Sequence, residues 1–69
     1  MIDRIVNAIN VRLADYQVIT FEVSGVTMYV GGARKIDNSS VWIDRCDGGG
    51  PVRMVEADLI KAYNNAGRG

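Results

Sequence analysis

The amino-acid sequence predicts an α+β fold in which an N-terminal helix, a four-stranded antiparallel meander and a C-terminal helix follow one another. Two β-branched and aromatic runs joined by Ser24-Gly25 indicate a hairpin, and two further strand-like runs follow it. The first and last segments carry apolar residues at helical spacing. Because the connections are short, we expect the strands to pair in sequence order and the helices to cover them. At 69 residues the chain is expected to form one small domain, 1–69.

The N-terminal segment is predicted to be a helix with one apolar stripe. Asp3 is the expected N-cap, because its carboxylate can accept a hydrogen bond from an early backbone N–H. The β-branched content lowers intrinsic helix propensity, so a strand through Ile9 to Leu13 is the competing interpretation. We expect a helix that depends on packing against the sheet. The stripe comprises Ile2, Ile5, Val6, Ile9 and Leu13.

The hairpin from Gln17 to Gly31 is the most specific feature of the sequence. Its two-residue loop with Gly suits the primed turns, whose twist matches that of paired strands. This loop fixes the register and therefore the faces of the hairpin. The pairs expected to share one apolar face are Val23 with Val26, Phe21 with Met28, and Ile19 with Val30. The residues expected on the other face are Val18, Thr20, Glu22, Thr27 and Tyr29.

The middle of the chain is predicted to contain a second hairpin. Turn-forming residues from Gly31 to Ser39 indicate a connection between the two hairpins. A third strand is expected over Ser40 to Cys46, followed by a glycine-rich loop over Asp47 to Gly50. The fourth strand is expected over Pro51 to Val55, since a proline at the first position need not donate to the ladder. Strong twist could curl the four strands into a small, partly closed SH3-like barrel.

The closing helix is predicted over Glu56 to Asn65. Its acidic residues Glu56 and Asp58 lie in the first turn, which complements the helix macrodipole. Gly67 is the expected C-cap in a left-handed conformation. The apolar face of this helix is expected to comprise Leu59, Ile60 and Tyr63.

Composition excludes several ways of stabilising so small a domain. Cys46 is the only cysteine and there is no histidine, so neither an internal disulfide nor a zinc site can form. Small domains without such staples often depend on a partner subunit, so we expect a homodimer without a cofactor. Eight basic and eight acidic residues cancel, and they are mixed along the chain. This balance does not favour a dedicated nucleic-acid-binding protein, which normally carries a basic surplus.

The sequence predicts a cytoplasmic protein that is not an enzyme. The N-terminal residues lack the pattern of a signal peptide, and no apolar run is long enough to span a membrane. The lone thiol fits a reducing compartment. The loop Asp47 to Gly50 is not followed by a Lys-Ser or Lys-Thr and a helix, so it does not match a phosphate-binding loop. Cys46 and the serines have no histidine to act as base.

The aromatic residues are the candidate partner-binding groups. If Val41 and Ile43 point into the core, Trp42 and Cys46 share the outer face of the sheet with Tyr29 and Val18; the alternative is that Trp42 points inward. Exposed aromatics are common anchors of protein interfaces. The residues expected to bind a partner are Tyr29, Trp42, Val18, Arg34, Lys35 and Arg45.

These observations favour a protein-interaction module that acts sterically on a protein partner, as an accessory or inhibitory factor of the kind that a virus or mobile element encodes. One alternative is a single-stranded nucleic-acid-binding module, in which basic residues surround Tyr29 and Trp42. Another is a structural subunit of a larger assembly. The basic residues of the nucleic-acid alternative are Arg34, Lys35, Arg45 and Arg53, and the acidic residues that oppose it are Asp37, Asp44 and Asp47.

Overall fold

The predicted order of elements is confirmed in the computed structural model of the protein, which describes residues 1–66. The four strands pair antiparallel in sequence order, and the sheet curls into a half-barrel. The third strand ends one residue earlier than predicted, and the fourth begins one residue later. The elements are α1 (Ile2–Ala14), β1 (Thr20–Val23), β2 (Val26–Lys35), β3 (Ser40–Arg45), β4 (Val52–Val55) and α2 (Glu56–Ala66).

The predicted register of the first hairpin is confirmed. Phe21 pairs with Met28, and the Val30 N–H donates to the Ile19 carbonyl at 2.9 Å. Ser24 and Gly25 have φ values of 51° and 78°, as a primed turn requires. Four of the six apolar side chains are buried: Ile19, Phe21, Met28 and Val30. Val23 is half-buried and Val26 is exposed, because both lie beside the turn at the end of the sheet.

The prediction of a turn-rich connection from Gly31 to Ser39 is wrong for its first half. β2 continues to Lys35, and its register with β3 shifts between Val30 and Gly32. Gly31 is the extra residue of this bulge, where a β-carbon would lie 3.2 Å from the β-carbon of Cys46. Glycine here allows the bend and the close approach of the next strand, rather than ending the strand.

α1 forms as predicted, and its apolar stripe packs on the concave side of the sheet. Ile2, Ile5 and Ile9 are buried, with Val6 and Leu13 partly buried beside them. The assignment of Asp3 as N-cap is wrong. The Ile5 N–H already bonds to the Met1 carbonyl, so the helix begins earlier and Asp3 lies in its first turn. The alternative of a strand through Ile9 to Leu13 is also wrong, because packing of the stripe outweighs the weak propensity.

α2 closes the open side of the half-barrel. It contacts both end strands, β1 and β4, and buries Leu59 and Ala62 in the common core. Ile60 and Tyr63, predicted for the apolar face, are only partly buried against that core. Gly67, the predicted C-cap, lies outside the described residues. Neither helix within residues 1–66 is long and apolar enough to cross a membrane.

Candidate functional site

The side of the sheet that points away from α1 and the core, here called the outer face, carries Trp42 near its centre. Val41 and Ile43 are fully buried, so the alternation of β3 turns Trp42 outward, where it is 36% exposed. Trp42 lies directly opposite Arg34 on β2 and opposite Arg53 on β4. Of the two orientations that the sequence left open, Trp42 therefore takes the outward one, and an arginine lies on each side of it.

Tyr29 and Val18 lie at the other end of the outer face. Tyr29 is opposite Thr20 and is 49% exposed, while Val18 precedes the buried Ile19 and is 78% exposed. The five residue-to-residue steps of β2 from Tyr29 to Arg34 span roughly 16 Å at the usual rise of a strand. Gly31 and Gly32 occupy this interval and present no side chains. The two aromatics are therefore separate exposed points and not one cluster.

Of the three basic residues predicted to bind a partner, one lies beside Trp42 and two do not. Arg34 does lie on the outer face, and its guanidinium makes two hydrogen bonds to Asp44, at 2.9 and 3.0 Å. Lys35 has the opposite orientation and pairs with Asp3 of α1 at 3.0 Å. Arg45 lies opposite the buried Val30. Strand alternation thus turns Lys35 and Arg45 away from Trp42, with which they were grouped.

Arg45 has a structural partner in Asp47. Two guanidinium nitrogens of Arg45 donate to the carboxylate at 2.9 Å, and the backbone N–H groups of Tyr29 and Gly49 donate to it at 3.1 Å. The Arg45 hydrogen bonds, followed by that from Tyr29, lower the pKa of Asp47 from 3.8 to about 2. The same pairing raises the pKa of Arg45. The carboxylate therefore anchors the glycine-rich loop to β2.

The glycine-rich loop makes room for this ion pair. A β-carbon on Gly49 would overlap the Arg45 guanidinium, and the Gly49 N–H is directed at Asp47. A phosphate-binding loop needs free backbone N–H groups converging on an anion. Here the protein supplies the anion itself, which agrees with the prediction that this segment is not a phosphate-binding loop.

Arg53 is positioned by a buried hydroxyl. Its Nη2 donates to the Ser40 Oγ at 3.3 Å, and that hydroxyl donates to Asp37 at 3.0 Å. Hydrogen bonds from the Ser39 N–H and from the Ser40 and Ser39 hydroxyls lower the pKa of Asp37. Arg53 itself is exposed and forms no ion pair within residues 1–66. The four strands contain four basic residues, which are Arg34, Lys35, Arg45 and Arg53. Arg53 is the one that has no carboxylate partner within residues 1–66.

Sequence reasoning missed the importance of Arg53, which it considered only for nucleic-acid binding. The four-residue loop that was predicted would have placed Val55 opposite Trp42. The observed connection runs from Cys46 to Pro51, which brings Arg53 opposite Trp42 and Val55 opposite Ser40. No signal in the spacing identifies this register in advance.

The rest of the described surface offers little for catalysis. Two open clefts of about 180 and 200 Å³ flank α2, and both are lined by Glu22 and Asn65. Asp58 and Lys61 line the first cleft, and Thr20 and Thr27 line the second. Residues 1–66 contain no group of histidine, cysteine or acidic side chains arranged to hold a metal ion. The outer face is therefore the stronger candidate.

Comparisons with protein-family models, curated proteins and solved structures return no match to this chain. The assignment of a function depends on the outer face alone.

Proposed function

We propose that the protein is a cytoplasmic protein-interaction module that binds a protein partner through its outer face, with Trp42 as the principal anchor. It acts sterically, as an accessory or inhibitory factor without a cofactor. It is a homodimer in which two copies meet through the same outer face, so the partner competes with the second copy for Trp42. The exposure of Trp42 between two arginines is the observation that carries the proposal. Tryptophan and arginine are the residue types most enriched where interface energy is concentrated. Tyr29 and Val18 extend the contact toward the first hairpin.

The pairing of charges favours a protein over a nucleic acid as partner. Arg34, Lys35 and Arg45 each hold a carboxylate of the same chain. Phosphates would have to displace these carboxylates to use the basic groups, and binding to nucleic acid gains its affinity mainly from such phosphate contacts. A protein partner needs only the apolar area and the aromatic anchors.

The proposal is tested by affinity capture with three baits, the native protein, Trp42→Ala and Val26→Ala, from cells that encode the protein. Val26 is an exposed apolar residue of the opposite face and is the matched control. We expect proteins that are retained by the native and Val26→Ala baits and depleted about tenfold or more by Trp42→Ala, since an anchor residue contributes about 2 kcal/mol. Circular dichroism checks that each bait is folded.

Two results would reject the proposal. Equal capture by Trp42→Ala would remove Trp42 from the interface. Tight, salt-dependent binding of a random single-stranded oligonucleotide that Trp42→Ala abolishes would assign the outer face to nucleic acid instead. Fluorescence anisotropy with a labelled oligonucleotide at several salt concentrations measures this directly.

A further inference from the structure

We propose that Arg53 and Trp42 form a subsite for one acidic side chain of the partner, an aspartate or glutamate that lies next to an apolar residue. This inference rests on the proposed function and adds the chemistry of the segment that the outer face recognises. The apolar residue packs on the exposed part of Trp42, and the carboxylate accepts hydrogen bonds from Arg53.

The guanidinium of Arg53 is held in place and is not neutralised by a carboxylate within residues 1–66, so it is available to an external anion. Ser40 is fully buried, and its hydroxyl oxygen holds one guanidinium nitrogen of Arg53 at 3.3 Å. The hydroxyl in turn donates to Asp37, so its oxygen is oriented to accept. This bond holds the guanidinium at the Ser40 hydroxyl, two residues from Trp42 along β3, and leaves its other N–H donors without a partner in residues 1–66. A partly immobilised arginine loses less conformational entropy when it binds a carboxylate.

Arg34 on the other side of Trp42 is an internal comparison. It has the same cross-strand position relative to Trp42, but Asp44 already takes two of its hydrogen bonds. An incoming carboxylate would meet the negative charge of Asp44 there. The two arginines that flank Trp42 therefore differ in their partners, because Arg34 is neutralised by Asp44, whereas Arg53 bonds to a neutral hydroxyl. The asymmetry directs an acidic ligand to the β4 side.

The charges around the subsite select a carboxylate over a phosphate chain. Asp37 is one hydroxyl away from Arg53, and Asp44 is two residues from Trp42 along β3. These carboxylates repel a phosphate chain, which carries negative charge on every phosphate group. A single acidic side chain needs only the one guanidinium of Arg53. A protein segment with isolated acidic residues fits this field.

The test uses a displayed library of random dodecapeptides, selected on the native protein and on four variants. Arg53→Gln removes the charge, Arg53→Lys keeps it, and Trp42→Ala removes the apolar contact. Arg4→Gln, which removes the charge of an exposed arginine of α1, is the control. We expect the native protein and Arg4→Gln to enrich peptides with an acidic residue beside an apolar one. Arg53→Gln should lose the acidic preference, and Arg53→Lys should retain part of it.

The strongest peptide is then synthesised with its acid and with the corresponding amide, and fluorescence anisotropy gives both affinities. The acid should bind the native protein about tenfold or more tightly than the amide, as expected of a hydrogen bond between charged groups. On Arg53→Gln the two should bind equally. Thermal melts confirm that each variant is folded.

The other outcomes separate this inference from the proposed function. Enrichment of apolar peptides with no acidic preference, abolished by Trp42→Ala, would overturn the subsite and leave the interaction surface intact. An acidic preference that survives in Arg53→Gln, or that is lost with Arg4→Gln, would also overturn it. Peptide binding that is unchanged in Trp42→Ala would reject both proposals.

Discussion

Asp47 ties three parts of the chain together through one carboxylate, which makes the structure sensitive to acid. It accepts hydrogen bonds from Arg45 of β3, from the Tyr29 N–H of β2 and from Gly49 of the loop. Its pKa of about 2 in the folded protein lies below the ordinary 3.8, so the ionised form stabilises the fold. That stabilisation is fully present above about pH 5 and is lost as the pH falls through 4 toward 2.

The first prediction is that Asp47→Asn is less stable than the native protein at neutral pH and that this difference shrinks as the pH falls from about 4 to about 2. Arg45→Gln should remove most of the same acid-dependent step, because Arg45 is the largest cause of the lowered pKa. Urea midpoints measured across the pH range report the effect. A native protein and an Asp47→Asn variant with parallel acid profiles would contradict it.

Tyr16 is held in a backbone conformation that favours glycine. Its φ is 60°, and its N–H and that of Gln17 bond to the carbonyls of Leu13 and Arg12, as at the end of a helix with a left-handed cap. The side chain is 95% exposed, so packing contributes little to offset the cost. We predict that Tyr16→Gly raises the free energy of unfolding by about 1 kcal/mol, since only glycine adopts this region without steric conflict.

Tyr16→Ala is the control, because alanine keeps the β-carbon that conflicts with the left-handed conformation. It should give no gain in the urea midpoint. An equal gain for alanine and glycine would place the effect in the exposed ring instead of the backbone. Because helix ends are recognised in a sequence largely by glycine, the tyrosine at this position gives no indication that α1 ends there.

Strand β2 is longer than its partner β1, and beyond the end of β1 it forms hydrogen bonds with α1 instead. β1 pairs with β2 only as far as Tyr29, apart from the bond between Val30 and Ile19. Farther along, the Asn10 side chain of α1 donates to the Ala33 carbonyl at 3.0 Å and accepts from the Ala33 N–H at 3.1 Å. The amide thus replaces the backbone of a missing strand, a role that sequence analysis did not identify.

We predict that Asn10→Ala lowers the free energy of unfolding by about 1–3 kcal/mol, because it leaves two partly buried backbone groups without partners. Asn7→Ala on the exposed side of α1 is the matched control and should have little effect on that free energy. Hydrogen exchange followed by NMR should show faster exchange at the Ala33 amide in Asn10→Ala alone. Unchanged exchange there would show that the amide does not protect this edge.

At the scale of the whole molecule, local patterns predicted the fold but not the site. Within the hairpin from Gln17 to Gly31, the alternation of apolar and polar residues and the two-residue turn determine the register. The spacing of the apolar residues in α1 indicates which side of that helix is buried. The surroundings of Trp42 depend instead on the bulge at Gly31 and on the longer loop after Cys46. These two irregularities decide which charges pair, and neither leaves a periodic signal.

The last prediction is that the protein self-associates, because a domain of this size without a disulfide or a zinc site often depends on a partner subunit. The surface of the protein is 4485 Å², and a stable interface covers about 800 Å² on each partner, roughly a fifth of that surface. An interface of that area on the outer face would extend from Trp42 to Tyr29. We expect sedimentation at micromolar concentrations to give the mass of two chains, and the melting temperature to rise with protein concentration, because assembly favours the folded state.

Trp42→Ala and Tyr29→Ala should each shift this equilibrium to the monomer while circular dichroism stays native, and Val26→Ala should not. A monomer mass at every concentration, with a melting temperature independent of dilution, would show that the core formed by the two helices and the sheet is sufficient alone. Loss of the folded state in Trp42→Ala would place Trp42 among the residues that maintain the core. A dimer that persists in both aromatic variants would require another exposed patch as the interface, because each variant removes one end of the outer-face contact.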